Sequence, residues 1–177
     1  MKTLILLLLL LSHIIGSEYM EGDILFLGKS DNLGEKMFAR AMGSRYSRVM
    51  IYHKNKFYEY SSEFMGGKAE LTHYDDDVIE HIMYDYKKVD LYRPYADDYQ
   101  RYQLSLYIDE TINRYKNIKD YDWTFDLKDN SRIYNMELIT IPYERLDMNF
   151  LNSEYDSFVL ERALNGSKFV IKHIIYN

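Results

Sequence analysis

The chain contains no cysteine. That absence excludes disulfide staples, a thiol nucleophile and thiolate metal ligands, so the core must carry stability unaided even if the protein is exported. Proline is almost as scarce, at two residues, and no proline-rich linker or low-complexity tract interrupts the sequence. Positive charge is in deficit: 22 Lys and Arg stand against 28 Asp and Glu, for a formal charge of −6. A nucleic-acid or anionic-membrane partner held by general electrostatics is therefore not expected. One long apolar run exists, Leu4 to Ile15, and it is shorter than the roughly 20 residues that span a bilayer. Lys2 precedes the run and the small residues Gly16 and Ser17 follow it, the layout of a secretory signal peptide. Residues 1–17 are read as that signal and residues 18–177 as one domain, secreted or periplasmic, with no stable membrane span after processing; an uncleaved anchor is the alternative.

What the chain does have is aromatic and thioether bulk: 19 Tyr, 8 Phe and 9 Met suit a large core. Asp23 to Gly28 reads as a buried strand. Ser30 and Asp31 are N-cap candidates for a helix to about Met42, with Leu33, Met37, Phe38 and Ala41 on one face and Gly43 at its end. Gly66-Gly67 marks a turn, Ala69 to Thr72 a strand, Asp75-Asp76-Asp77 an acidic loop, and Val89 to Tyr92 a strand closed by Pro94. From Ala96 to Lys116 the spacing of Leu104, Ile108, Ile112 and Tyr115 is helical. Tyr121 to Phe125 is an aromatic loop or strand. Tyr134 to Leu146 is a helix apolar nearly all round, hence buried, that Pro142 bends or ends. Ser153 to Leu164 is a further helix before Gly166, and Phe169 to Tyr176 a last strand.

The organising stretch is Ser47 to Tyr60, a predicted β-hairpin. Alternation puts Val49, Ile51 and His53 on one face and Arg48, Met50 and Tyr52 on the other. With the turn centred between Asn55 and Lys56, Tyr52 lies opposite Glu59 and Arg48 opposite Glu63, so that a cation and two acids share a face.

The ordered set Gly22-Asp23-Ile24-Leu25-Phe26, Tyr46-Ser47-Arg48-Val49-Met50-Ile51-Tyr52, Phe57-Tyr58-Glu59, Tyr121-Asp122-Trp123-Thr124-Phe125 and Tyr134-Asn135-Met136-Glu137-Leu138 resembles the circularly permuted, YiiX-like branch of the NlpC-type papain-like cysteine amidohydrolases. The resemblance implies a single α+β domain of permuted papain-like type, with a mixed or antiparallel sheet, a buried central helix, and a cleft between that helix and the Arg48/Glu59 hairpin. It also implies a family histidine at the position of Arg48, a third polar residue at Glu59 and a nucleophilic cysteine at Asn135. Arginine stays protonated and cannot serve as a base, and an asparagine amide is weakly nucleophilic, so no catalytic residue is expected at these positions. Ser47 and Ser131 are the candidates for a replacement nucleophile, but His53 points away from Arg48 by strand parity.

His73, Asp75, Asp77 and His81 have metal-binding side chains, yet their spacing matches no established ligand motif, and a solvated acidic loop is the simpler reading. Neither a metal nor a cofactor is expected. The expectation is an inactive relative, a pseudoenzyme, holding a small molecule, lipid or peptide in the former active-site cleft. The alternatives are an active amide or ester hydrolase using rearranged residues, and an exported structural or interaction module.

Overall fold

A computed structural model describes residues 19–41, 44–62, 68–120, 134–146 and 169–174. The signal segment, Gly43, Glu63, Gly66-Gly67, Tyr121 to Phe125, Ser131 and the helix expected at Ser153 to Leu164 lie outside the described residues. The elements are β1 (Ile24–Ser30), α1 (Leu33–Ala41), β2 (Arg48–His53), β3 (Lys56–Ser62), β4 (Ala69–Asp75), α2 (Asp76–Met83), β5 (Tyr86–Pro94), α3 (Asp98–Tyr115), α4 (Asn135–Arg145) and β6 (Phe169–Ile174). They form an α+β fold around one six-stranded sheet in the order β4-β3-β2-β1-β5-β6. Every neighbouring pair is antiparallel.

Each face of the sheet has its own apolar core, because successive side chains in a strand point to opposite sides. On one side Ile24, Phe26, Val49, Ile51, Tyr60 and Tyr92 pack with Leu104 and Ile108 of α3 and with Leu138, Ile139 and Tyr143 of α4. On the other, Leu25, Leu27, Met50, Tyr52, Phe57 and Leu91 pack with Ile79 and Met83 of α2. The buried helix expected near Asn135 is α4, in which Met136 to Thr140, Pro142 and Tyr143 are buried. Pro142 lies inside α4 rather than ending it. Tight packing under the helix outweighs the lost backbone bond there.

Several local expectations are corrected. The cap of α1 is Asn32, whose Oδ1 accepts from the Glu35 N–H at 3.2 Å. Ser30 instead ends β1. The three aspartates are not a loop: Asp75 precedes α2, and Asp76 and Asp77 fill its first turn, where negative charge opposes the helix dipole favourably. In α3, Asp97 accepts from Gln100 N–H at 2.8 Å and Gln100 Oε1 accepts from Asp97 N–H at 3.0 Å, a reciprocal cap.

The hairpin turn is one residue earlier than expected. Lys54 and Asn55 are its two central residues, with φ of 47° and 62°, as the tight primed hairpin turn requires. Tyr52 therefore pairs with Phe57 and His53 with Lys56, not Tyr52 with Glu59. The shift moves the register by two, an even number, so the face assignments are preserved.

Candidate functional site

Arg48 opens β2 with a half-buried side chain, and Glu59 of β3 is 2% exposed. In the observed register they are diagonal neighbours on one face. Arg48 Nε donates to Glu59 Oε2 at 3.1 Å and Nη2 donates to Glu59 Oε1, a two-pronged pair. Two tyrosines complete the guanidinium's shell. Nη2 donates to Tyr74 OH at 3.1 Å, and Tyr74 OH donates onward to Glu59 Oε1 at 2.9 Å. Nη1 donates to Tyr86 OH at 3.3 Å, with Tyr74 and Tyr86 rings 5.6 and 6.0 Å from the guanidinium carbon.

These contacts fix the charge state. Burial works against the Arg48 cation, but its bonds and attraction to Glu59 prevail and hold its pKa above the usual value. Burial pushes the Tyr86 phenol up, so it too stays protonated and can donate. Arg48 is thus a permanent cation without a proton to exchange.

The network continues to the surface. Tyr86 OH donates to Glu35 Oε1 at 2.7 Å, and Ser47 Oγ donates to Glu35 Oε2 at 2.9 Å. Ser47 is held by its own N–H, which donates to Leu27 O at 2.9 Å. Gly28 makes this approach possible: a Cβ there would fall 2.2 Å from Arg45 O, inside the backbone of the loop that carries Ser47. Beside Ser47 and Glu35 a pocket of about 310 Å³ opens, edged by Lys29, Lys36, Arg40 and Arg45.

The structure brings Arg48, Glu59 and Ser47 into one network, and it separates Asn135 from them. Asn135 begins α4, with Tyr134 as its cap, and the Tyr134 N–H donates to Glu137 Oε2 at 3.0 Å. That helix covers the Val49/Ile51 side of the sheet, whereas Tyr74, Tyr86 and Glu59 hold Arg48 on the Met50/Tyr52 side. Among the described residues, the Asn135 helix and the Arg48/Glu59 pair do not face each other across the expected cleft, because parity turns Arg48 away from α4. Asn135 Oδ1 is buried without a hydrogen-bond partner among the described residues.

The four metal candidates are also dispersed. The His73 ring packs on Tyr58 at 5.6 Å, Asp75 pairs with Lys56 at 3.3 Å, and His81 Nδ1 bonds to the backbone oxygen of Asp77 at 2.9 Å within α2. Among the described residues no three His, Asp or Glu side chains converge as a metal site would need.

Sequence reasoning missed Glu35, Tyr74 and Tyr86, since tyrosines are common at a core rim and a lone helical glutamate carries no motif.

No protein-family model matches the chain, and no curated protein matches it. Among solved structures, the crystal structure of the metalloprotein YiiX from Escherichia coli O157:H7 is similar, with a TM-score of 0.50 and 17% identity. The match covers 91% of this chain and 99% of that one. The fold is YiiX-like.

Proposed function

We propose that this protein is an exported, non-catalytic relative of the permuted NlpC-type cysteine hydrolases that binds its ligand beside Ser47 and Glu35. The observation that carries the reading is the state of Arg48. At the position where the resemblance calls for a base stands a guanidinium gripped at two points by Glu59 and capped by two phenols. The YiiX-like fold supports the relationship, and the Leu4 to Ile15 run supports export. Among the described residues no helix is long and apolar enough to cross a membrane. The solved neighbour is titled a metalloprotein, but among the described residues the dispersed His73, Asp75, Asp77 and His81 do not fit a metal.

A second reading rests on one contact. Ser47 Oγ donating to a carboxylate at 2.9 Å is the geometry of a hydroxyl and a general base, which suits an ester or amide hydrolase. Against it, Glu35 also accepts from Tyr86 OH at 2.7 Å, so both of its oxygens are already engaged in the network that holds Arg48. Incubation with model esters and amides separates the two readings. The expected result is no turnover above buffer; turnover lost in Ser47→Ala would replace the binding reading with the hydrolase one.

A further inference from the structure

We infer that α1 docks on an anionic lipid surface, with Leu33 and Met37 entering the headgroup boundary and Lys36 and Arg40 meeting the lipid phosphates beside them. This goes beyond the binding reading above and does not rest on it, since it concerns where the protein sits and not what Ser47 and Glu35 hold.

The carrying observation is a helix that packs by its polar side. By sequence, Leu33 and Met37 belong to a face to be buried; in the structure they are 71% and 51% exposed. Glu35 and Ala39, one turn apart, are half-buried instead. Glu35 accounts for the orientation, because its two oxygens accept from Ser47 Oγ at 2.9 Å and Tyr86 OH at 2.7 Å. A carboxylate held at both oxygens turns that side of α1 inward and leaves the apolar side chains facing water.

Charge selects what covers them. Leu33, Lys36, Met37 and Arg40 stand at the i, i+3, i+4 and i+7 spacing of one helix face, and all four are exposed. Apolar side chains interleaved with cations are the pattern of a helix lying in a membrane interface, where the apolar groups enter the acyl boundary and Lys and Arg reach up to the headgroups. Lys87 brings a third cation to the start of α1 through Asp31, at 2.9 Å. Lys36 also approaches Asp31, at 3.4 Å. Both pairs are solvent-exposed and weakly held, and one carboxylate stands against three cations. An anionic bilayer offers both an apolar interior and phosphates at adjacent depths. The formal charge of −6 gives the whole chain no attraction to such a surface, so the contact is local and needs the apolar pair as well as the cations.

Co-flotation of residues 18–177, which contain every described element but not the apolar Leu4 to Ile15 run, tests the inference. The probes are vesicles of phosphatidylcholine mixed with phosphatidylglycerol, and of phosphatidylcholine alone. Flotation with the anionic vesicles and little with the neutral ones is expected. Leu33→Ser with Met37→Ser should weaken partitioning about tenfold or more, and Lys36→Gln with Arg40→Gln by a similar factor. Raised salt should weaken the wild type in the same direction. Tyr99→Ser with Tyr102→Ser removes two side chains of α3 that are 71% and 61% exposed, and should leave flotation unchanged. Circular dichroism checks each fold, and if the serine pair unfolds, the Lys36/Arg40 pair still decides. No flotation with anionic vesicles, equal flotation with both kinds, or an equal loss in the α3 variant overturns the inference. So does a wild type that stays off the vesicles and sediments as a dimer dispersed by Leu33→Ser, which would give this face to a second copy of the chain. None of these results involves turnover, so the non-catalytic reading stands or falls separately.

Discussion

The two ends of β2 carry cations on opposite faces of the sheet, and they are held in opposite ways. At the start, Arg48 turns toward Glu59, Tyr74 and Tyr86 and keeps its charge at any accessible pH. At the end, His53 is 1% exposed beside α3, with Nδ1 against Glu21 and Nε2 2.7 Å from Asp109 Oδ1. Carboxylates facing both ring nitrogens favour the form in which both donate, the imidazolium. Burial disfavours that charge, but Glu21 and Asp109 outweigh it and raise the His53 pKa above its usual 6.5. The same strand thus bears a fixed cation where the resemblance calls for a base and a titratable one where it serves as a clamp. Position in a motif did not decide the chemistry; the acids opposite each side chain did.

Removing Arg48 should have the largest effect. Arg48→Ala strands Glu59, which is 2% exposed, and the cost of breaking such a pair from one side is about 3–5 kcal/mol, toward the lower end here because the guanidinium keeps some solvent. Urea unfolding measures it. A cost below that of an ordinary surface change would mean the pair is solvated and the contrast between the two ends of β2 is false.

His53→Gln comes next, at about 1.5–3 kcal/mol for hydrogen bonds to charged partners. Its signature is the pH dependence. A group whose folded pKa is raised stabilises fully below its unfolded value and loses that contribution as pH rises through the folded one. Wild type should therefore hold its advantage over His53→Gln below pH 6.5 and lose it progressively above. A difference that is constant with pH would show a neutral ring.

The smallest effect belongs to a bond without formal charge. Tyr143 OH donates to Gly22 O beneath α4, and Tyr143→Phe should cost about 1 kcal/mol with no pH dependence over the range where His53 titrates. A pH-dependent loss would tie this side of the sheet to the clamp and blur the comparison.

Much of this was legible before the structure, and the reasons are specific. The faces of the hairpin survived a misplaced turn because a two-residue slip preserves parity. The turn itself was misplaced because Asn55 favours the left-handed region at either central position, and Lys54, its partner there, gives no such signal. The α3 helix was visible in the spacing of Leu104, Ile108 and Tyr115, all buried. The α2 helix was hidden because three consecutive aspartates read as solvated chain, although Ile79 and Met83 sit one turn apart on its buried side. The Arg48–Glu59 pair was expected from the shared face. Its tyrosine shell and the basic pocket were not, since they join β1, α1, β4 and β5 only in the folded chain. The opposite placement of Asn135 was likewise invisible, because sequence order does not say which face of the sheet a late helix covers.

The central claim is that Arg48 exists to pair with Glu59, and a double-mutant cycle tests it most directly. Unfolding free energies of wild type, Arg48→Ala, Glu59→Gln and the double variant give the coupling between the two side chains. The structure predicts coupling of about 1.5–3 kcal/mol, as for a buried charge-assisted bond, little changed by salt. Coupling near zero would contradict it and return Arg48 to the pool of cations available to a ligand.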